Sequence, residues 1–149
     1  SLIMDLFNLL QRAEVDMTLF FRSLADVDPR TPDLAVLQEA FYDATQQAAH
    51  AGAFSAWLER WASRVLSDGE PEMLRRKRMH AVNPRYVLRN YLAQQAIDSA
   101  ERGDASMLHQ LLEVLRHPYT DQPGREAFAL KRPEWARQKP GCSMLSCSS

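Results

Sequence analysis

The sequence predicts an all-α fold, an irregular bundle of about six helices that ends in an extended, Pro-rich C-terminal tail. Apolar residues recur at three- and four-residue steps through residues 1–117. The chain is rich in Ala, Leu, Gln, Glu and Arg, which favour helices, and it has only 5 glycines. No stretch alternates between apolar and polar residues for long enough to indicate a strand.

Three helices are predicted in the first half of the chain. The periodic apolar residues from Leu2 to Ala25 indicate one long helix. Thr31 is the predicted N-cap of a second helix, which Gly52 is expected to end. A third helix is predicted over about Ser55 to Leu66, and Gly69 lies in the turn that follows it.

Three further helices are predicted before the tail. A short basic helix runs from Pro71 through His80. The next, from Asn83 to Arg102, has apolar residues on much of its circumference and should be buried on several sides. Asp104 is the predicted cap of the last helix, which extends to about Leu115.

The composition changes after residue 117, where prolines and glycines recur. We therefore predict a helical domain over residues 1–117 and a tail over residues 118–149, with one helical turn around Glu126 to Leu130. The tail is expected to pack down at three aromatic residues and to be mobile from Gly141 to Ser149. These aromatic residues are Tyr119, Phe128 and Trp135.

The charge balance disfavours two classes of partner. Lys and Arg number 18 and Asp and Glu number 19, so the net charge of -1 gives no general attraction to nucleic acid or to an anionic membrane. No apolar run approaches the roughly 20 residues of a membrane span. The N-terminus lacks a secretory signal, and the chain begins with Ser1 rather than Met, which suggests a piece cut from a longer protein.

Common catalytic and nucleotide-binding motifs are missing from the sequence. Neither GxGxxG, GxxxxGK[ST] nor HExxH occurs. The four histidines lack a second His or Cys at ligand spacing, so each is interpreted as a surface or core residue. They are His50, His80, His109 and His117.

The densest charge feature is the basic run Arg75 to Arg78, followed by Arg85 and Arg89. On a continuous helix, Arg85 and Arg89 would share a face that could grip a phosphate or an acidic partner. The favoured interpretation is instead that the basic residues are solvated or paired with nearby carboxylates. Trp57 and Trp61, four residues apart, are interpreted as core.

Both cysteines, Cys142 and Cys147, lie near the C-terminus, so the fold has no disulfide framework. This cysteine usage predicts a reducing compartment, the bacterial cytoplasm. A structural zinc site needs about four ligands and is disfavoured. From the residues alone, two incidental thiols are favoured over a redox pair or a thiol that meets a cysteine elsewhere.

Several segments of the sequence resemble those of a known protein family. One is the string VNPRYVLRNYLAQ, residues 82–94. The others follow it in order: Gly103-Asp104, Leu111 to Leu115, Pro118-Tyr119, Pro133 to Ala136 and the terminal Cys147-Ser148-Ser149. Together they resemble the C-terminal part of the selenoprotein O family, known in bacteria as YdiU.

The resemblance implies a kinase-like parent protein that transfers AMP from ATP to Ser, Thr or Tyr of other proteins, with Mg or Mn. The family's nucleotide and metal residues lie upstream, and none of them maps onto this chain. Cys147 matches a position that is selenocysteine in animal members, which implies redox control through a cysteine elsewhere in the protein. Cys142 lies outside the family pattern and is an alternative partner for Cys147.

We therefore predict a C-terminal helical domain that supports the kinase-like core of an adenylyltransferase and carries a redox-active Cys147. The fragment alone is expected to be inactive and to hold no cofactor. Its expected partners are the upstream domain of the same chain, protein substrates of the whole enzyme, and a second copy where removal of that domain exposes apolar surface. The alternative is a stand-alone helical interaction module. The least favoured hypothesis is a nucleic-acid-binding protein that uses Arg75 to Arg89.

Overall fold

A computed structural model describes residues 1–139 of the chain and confirms the all-α prediction. Within these residues there are six α-helices, three short 3₁₀ helices and one isolated antiparallel bridge between Val15 and Phe41. The α-helices are α1 (Leu2–Arg12), α2 (Met17–Leu24), α3 (Ala44–Asp68), α4 (Glu72–Val82), α5 (Asn90–Glu101) and α6 (Ser106–Leu115). The 3₁₀ helices are Leu34–Ala40, Glu126–Ala129 and Glu134–Ala136. In the described part of the chain, no helix combines the length and the apolar character that crossing a membrane requires.

The chain forms two compact units, Ser1–Asn83 and a second that begins at Pro84. The division predicted from composition, between residues 117 and 118, lies inside the second unit. Each unit has its own apolar core.

The predicted long helix from Leu2 to Ala25 is wrong, because the helical conformation is interrupted between α1 and α2. Glu14 adopts a left-handed conformation with φ of 51°, which a helix cannot accommodate. The Asp16 carboxylate then caps α2 by accepting a hydrogen bond from the Leu19 backbone N–H at 2.9 Å. The Asp16 N–H donates to the Ala40 carbonyl at 2.8 Å, so tertiary contacts stabilise the break.

The second and third predicted helices also have different bounds. Asp33, not Thr31, caps a 3₁₀ helix, and Asp43 then caps α3 through the Thr45 N–H at 2.7 Å. The predicted stop at Gly52 is wrong, because α3 continues through it to Asp68. The predicted turn at Gly69 is confirmed, with φ of 69°.

Aromatic side chains of α2 and α3 form the centre of the first core. The Phe20 ring lies 6.1 Å from the rings of Phe54 and Trp57, and all three are buried. Trp57 also donates its indole N–H to the Leu2 carbonyl at 2.8 Å, which fixes the start of α1. Trp61 is buried as well, so the prediction that both tryptophans belong to the core is confirmed.

The start predicted for the helix from Asn83 to Arg102 is wrong. Residues 84–89 are not helical, and α5 begins at Asn90. The backbone N–H groups of Arg85 and Tyr86 both donate to the Pro118 carbonyl, at 2.9 and 3.2 Å. These bonds replace helical ones, so the string that carries the family resemblance is partly an extended segment.

Residues 118–139 fold back on α5 and α6. The Tyr91 hydroxyl donates to the Leu130 carbonyl at 2.9 Å, and the Gln122 N–H donates to the Tyr86 hydroxyl at 3.0 Å. Phe128 packs against both cores of this unit, and the predicted helical turn is present as Glu126–Ala129. The other two aromatic residues that were expected to pack down are Tyr119 and Trp135, and they are 46% and 51% exposed. The Trp135 ring meets the Tyr91 ring edge-on, with 6.3 Å between the ring centroids.

Candidate functional site

Helix α1 carries apolar side chains on two sides. Leu6 and Leu10 are buried in the first core. Ile3, Met4 and Phe7 are 50%, 59% and 42% exposed. Clustered exposed apolar side chains mark interaction surfaces more often than isolated ones do. We call these three residues the α1 apolar face.

The α1 apolar face belongs to a helix that contacts with α3 hold in place. The Arg60 guanidinium of α3 donates to the Asp5 carboxylate at 2.9 Å, and both side chains are about half exposed. This ion pair adds to the bond between the Trp57 indole and the start of α1. The exposed side chains are therefore presented by a helix whose position is set before any partner binds.

Two buried arginines connect α2 with α4. Arg22 is 7% exposed and donates through one Nη1 atom to the His80 and Asn83 carbonyls, both at 2.9 Å. Arg75 is 2% exposed and donates through Nη2 to the Val27 carbonyl at 3.2 Å. Its guanidinium carbon also lies 5.4 Å from the centre of the Trp61 ring. Burial lowers the pKa of Arg75 from its ordinary value.

In the rest of the basic run, Arg76 and Arg78 pair with nearby carboxylates and Lys77 is exposed, as the favoured interpretation expected. Arg76 binds Asp26 at 2.8 Å, and Arg78 binds Glu70 at 2.7 Å. The hydrogen bond from Arg78 lowers the pKa of the Glu70 carboxyl below its ordinary value of 4.5. These partly exposed pairs order the surface of α4 and contribute little to stability.

The alternative interpretation, a cationic helix face formed by Arg85 and Arg89, is wrong. Arg85 lies in the extended segment, 34% exposed, with Nη1 3.4 Å from Asp121. Arg89 is 2% exposed and precedes the first residue of α5. The two side chains therefore do not share a helical surface. They do not form the helix face that could have bound a phosphate or an acidic partner.

The four histidines are divided between the two units, with His50 and His80 in the first and His109 and His117 in the second. His80 is half-buried on α4, with Nε2 3.5 Å from the Asp26 carboxylate, whereas His109 and His117 are exposed on or after α6. Over residues 1–139, no three His, Cys, Asp or Glu side chains are grouped so that they could hold a metal ion.

Comparison with known proteins assigns the chain to a family. The family described as protein adenylyltransferase SelO matches residues 1–116. The chain belongs to the SelO family. This result confirms the resemblance seen in the sequence.

Bacterial members of the SelO family match almost the whole chain. A protein nucleotidyltransferase YdiU of Xanthomonas campestris pv. campestris (strain B100) is 63% identical over 148 residues, 99% of this chain and 29% of that protein. The YdiU proteins of Tolumonas auensis and Aromatoleum aromaticum are 61% and 53% identical over 149 residues, 29% and 28% of their own lengths. The chain therefore spans less than a third of these SelO relatives.

The two cysteines of this SelO chain lie outside the described residues. The redox role of Cys147 and its pairing with Cys142 stay predictions. The terminal Cys-Ser-Ser also lies beyond residue 116, where the match to the family ends.

Sequence reasoning missed two residues that organise the SelO chain. Arg22 was not singled out, although it directly follows two phenylalanines on α2, where a buried cation needs acceptors. Tyr86 was interpreted as one apolar residue of a helix, yet its hydroxyl is an acceptor for the Gln122 N–H. No local signal in the sequence marks this contact, because Gln122 lies 36 residues away from Tyr86.

Proposed function

We propose that this chain is the C-terminal helical part of a protein adenylyltransferase that moves AMP from ATP to Ser, Thr or Tyr of target proteins. Membership of the SelO family and the relatives named protein nucleotidyltransferase YdiU support the reaction class. ATP and Mg or Mn would be bound by a kinase-like part upstream, and the whole protein would act in the bacterial cytoplasm. In this account the chain itself performs no chemistry on the nucleotide.

The role proposed for the chain is to support the kinase-like part, and the α1 apolar face is the observation that carries it. The face consists of three large apolar side chains, each more than two-fifths exposed, on a helix already held by Trp57 and Arg60. Covering them would remove apolar surface from water, which stabilises an interface by about 25 cal/mol for each Å². Without that cover, the same face favours self-association of the isolated chain.

The proposed occupant is the upstream part of the same polypeptide. The named relatives are more than three times longer than the match, so most of each relative is available to cover this surface. An intramolecular partner also has a high effective concentration, so a modest apolar contact is sufficient to hold it.

We further propose that Cys147 is a redox-active thiol at the end of the chain. A thiol tethered to a folded protein meets a nearby cysteine at high effective concentration, and exchange makes the bond reversible. Peptide mass mapping of the whole protein after mild oxidation should find Cys147 in a disulfide that dithiothreitol releases. A Cys147 that stays free under those conditions would contradict this part of the proposal.

The supporting role can be tested in a chimaera. The matching 148 residues of the Xanthomonas relative are replaced by this chain, either intact or with Ile3, Met4 and Phe7 changed to Ser. AMP transfer to protein is then measured with labelled ATP. The intact chimaera and the parent should be active, the triple variant should lose activity or stability, and the purified chain should transfer no AMP.

A matched control separates docking from general surface polarity. Leu66, Met73 and Leu74 are also exposed apolar residues of the first unit, at 51%, 84% and 58%. Changing these three to Ser in the same chimaera should leave AMP transfer unchanged. Equal losses in both triple variants, or AMP transfer by the purified chain, would contradict the proposed role.

A further inference from the structure

We propose that a cavity in the second unit binds a small molecule that has an apolar body and one carboxylate group. The cavity has a volume of about 480 Å³ and lies between α5, α6 and the returning segment of residues 124–135. Small-molecule sites commonly have volumes of roughly 300–1,000 Å³. This site is independent of the adenylyltransferase proposal and of the α1 apolar face.

The lining of the cavity is mainly apolar. Tyr91 and Leu92 of α5 are buried beneath it, and Met107 and Phe128 contribute half-buried side chains. At its edge, Trp135 leaves half of its surface exposed. Because the Tyr91 hydroxyl and ring hold Leu130 and Trp135, this wall is positioned in the absence of ligand. An aliphatic or aromatic body would cover apolar surface that is now in contact with water.

The polar groups of the lining select for a negative charge. Arg125 and Lys131 both line the cavity, whereas none of its lining residues is Asp or Glu. The Arg125 side chain is half-buried, and within residues 1–139 it has no carboxylate partner. A guanidinium in partly apolar surroundings gains most from a carboxylate, which can accept two parallel hydrogen bonds.

Two glutamines complete the chemistry of the site. Gln95 of α5 and Gln110 of α6 also line the cavity, and their amides can donate to a carboxylate oxygen. A free phosphate lacks the apolar body that Leu92 and Phe128 would cover, and a neutral hydrocarbon leaves the Arg125 charge uncompensated. The combination therefore favours an amphipathic monoanion such as a medium-chain or aryl-alkyl carboxylate.

The test is calorimetric titration of the whole 149-residue chain with octanoate, with octanamide and octylammonium as matched probes. We expect octanoate to bind at one site per chain and about tenfold more tightly than octanamide, because a charged hydrogen bond contributes more than a neutral one. Octylammonium should not bind. Equal binding of octanoate and octanamide would overturn the assignment of a carboxylate site.

Two variants locate the binding. Arg125→Gln should weaken octanoate binding about tenfold and leave octanamide binding unchanged, whereas Arg116→Gln, an exposed arginine paired with Glu113 outside the cavity, should change neither. Ala127→Leu adds volume at an exposed lining position and should weaken both probes without unfolding the chain. Octanoate binding unaffected by Arg125→Gln and Ala127→Leu would place the ligand elsewhere and contradict the proposal.

Discussion

Arg22 and Arg75 connect the same two helices in opposite directions. Arg22 extends from α2 to the carbonyls of His80 and Asn83 at the end of α4, and Arg75 extends from α4 to the carbonyl of Val27, just after α2. A cation at a helix C-terminus also compensates the carbonyl dipoles there. This reciprocal arrangement joins the first and last parts of the first unit and keeps α2 in place against α3.

Loss of Arg75 should destabilise the first unit. Arg75→Met keeps most of the apolar stem but removes the donor to Val27 and the cation beside Trp61. We expect a loss of about 1–3 kcal/mol in the free energy of unfolding, because a buried carbonyl is left without its donor. The matched control is Lys77→Met on the exposed side of α4, which should change stability by less than about 0.5 kcal/mol. Urea denaturation measures both values, and equal effects would contradict this account.

The two arginines should also be energetically coupled. Both fasten α2 to α4, so once Arg22→Met has loosened that contact, removing Arg75 costs less. A double-mutant cycle on unfolding free energies should give a coupling of about 0.5–2 kcal/mol. Strictly additive losses would show that each arginine acts on its own helix alone.

Two glycines on α3 should respond in opposite ways to the same substitution. Gly52 lies inside the helix with nothing within 4 Å of an added Cβ, so Gly52→Ala should stabilise the chain by about 0.5–1 kcal/mol. Gly69 ends the helix with φ of 69°, so Gly69→Ala should destabilise it by about 1–2 kcal/mol. Thermal unfolding followed by circular dichroism compares the pair, and a loss of stability in Gly52→Ala would argue against a continuous α3.

Acidification should weaken the pairing of Glu70 with Arg78. The hydrogen bond from Arg78 lowers the pKa of Glu70 in the folded chain below 4.5, so the unfolded chain takes up this proton first as the pH falls. The stabilising contribution is therefore complete above pH 4.5 and is lost as the pH falls through the lowered pKa. When the pH is lowered from about 6 to about 3, the urea concentration at the midpoint of unfolding should fall less in Glu70→Gln than in the parent.

The control for this titration is Glu59→Gln on the exposed side of α3. Glu59 makes no ion pair within the described residues, so this variant should keep the pH dependence of the parent. A change as large as that of Glu70→Gln would show that the effect comes from net charge.

The helical class and the buried faces could be predicted from the sequence because they depend on local periodicity. Leu6 and Leu10, for example, lie four residues apart on α1, and both are buried. The break before Asp16 could not be found in this way, because no glycine or proline marks it. It depends on the left-handed Glu14 and on a hydrogen bond to Ala40, which is distant in sequence.

Other errors came from giving a local signal more weight than its context. Gly52 was interpreted as a stop, but the helix-forming residues on both sides of it outweigh a cost of about 1 kcal/mol. Asn83-Pro84 was interpreted as a helix start, although the following backbone bonds to Pro118, more than 30 residues away. The buried roles of Arg22 and Arg75 likewise depend on carbonyl acceptors that only the tertiary fold brings close.

The most direct test of the account is a photo-crosslink from the α1 apolar face. A photoreactive amino acid replaces Met4 in the chimaera with the Xanthomonas relative, or Met73 on α4 as the control, and mass spectrometry locates the adducts. We expect the probe at position 4 to join the upstream part of the same polypeptide and the probe at position 73 to give no such product. Adducts at position 4 only with other molecules, or equal upstream adducts from both positions, would contradict the proposal that α1 docks the catalytic part.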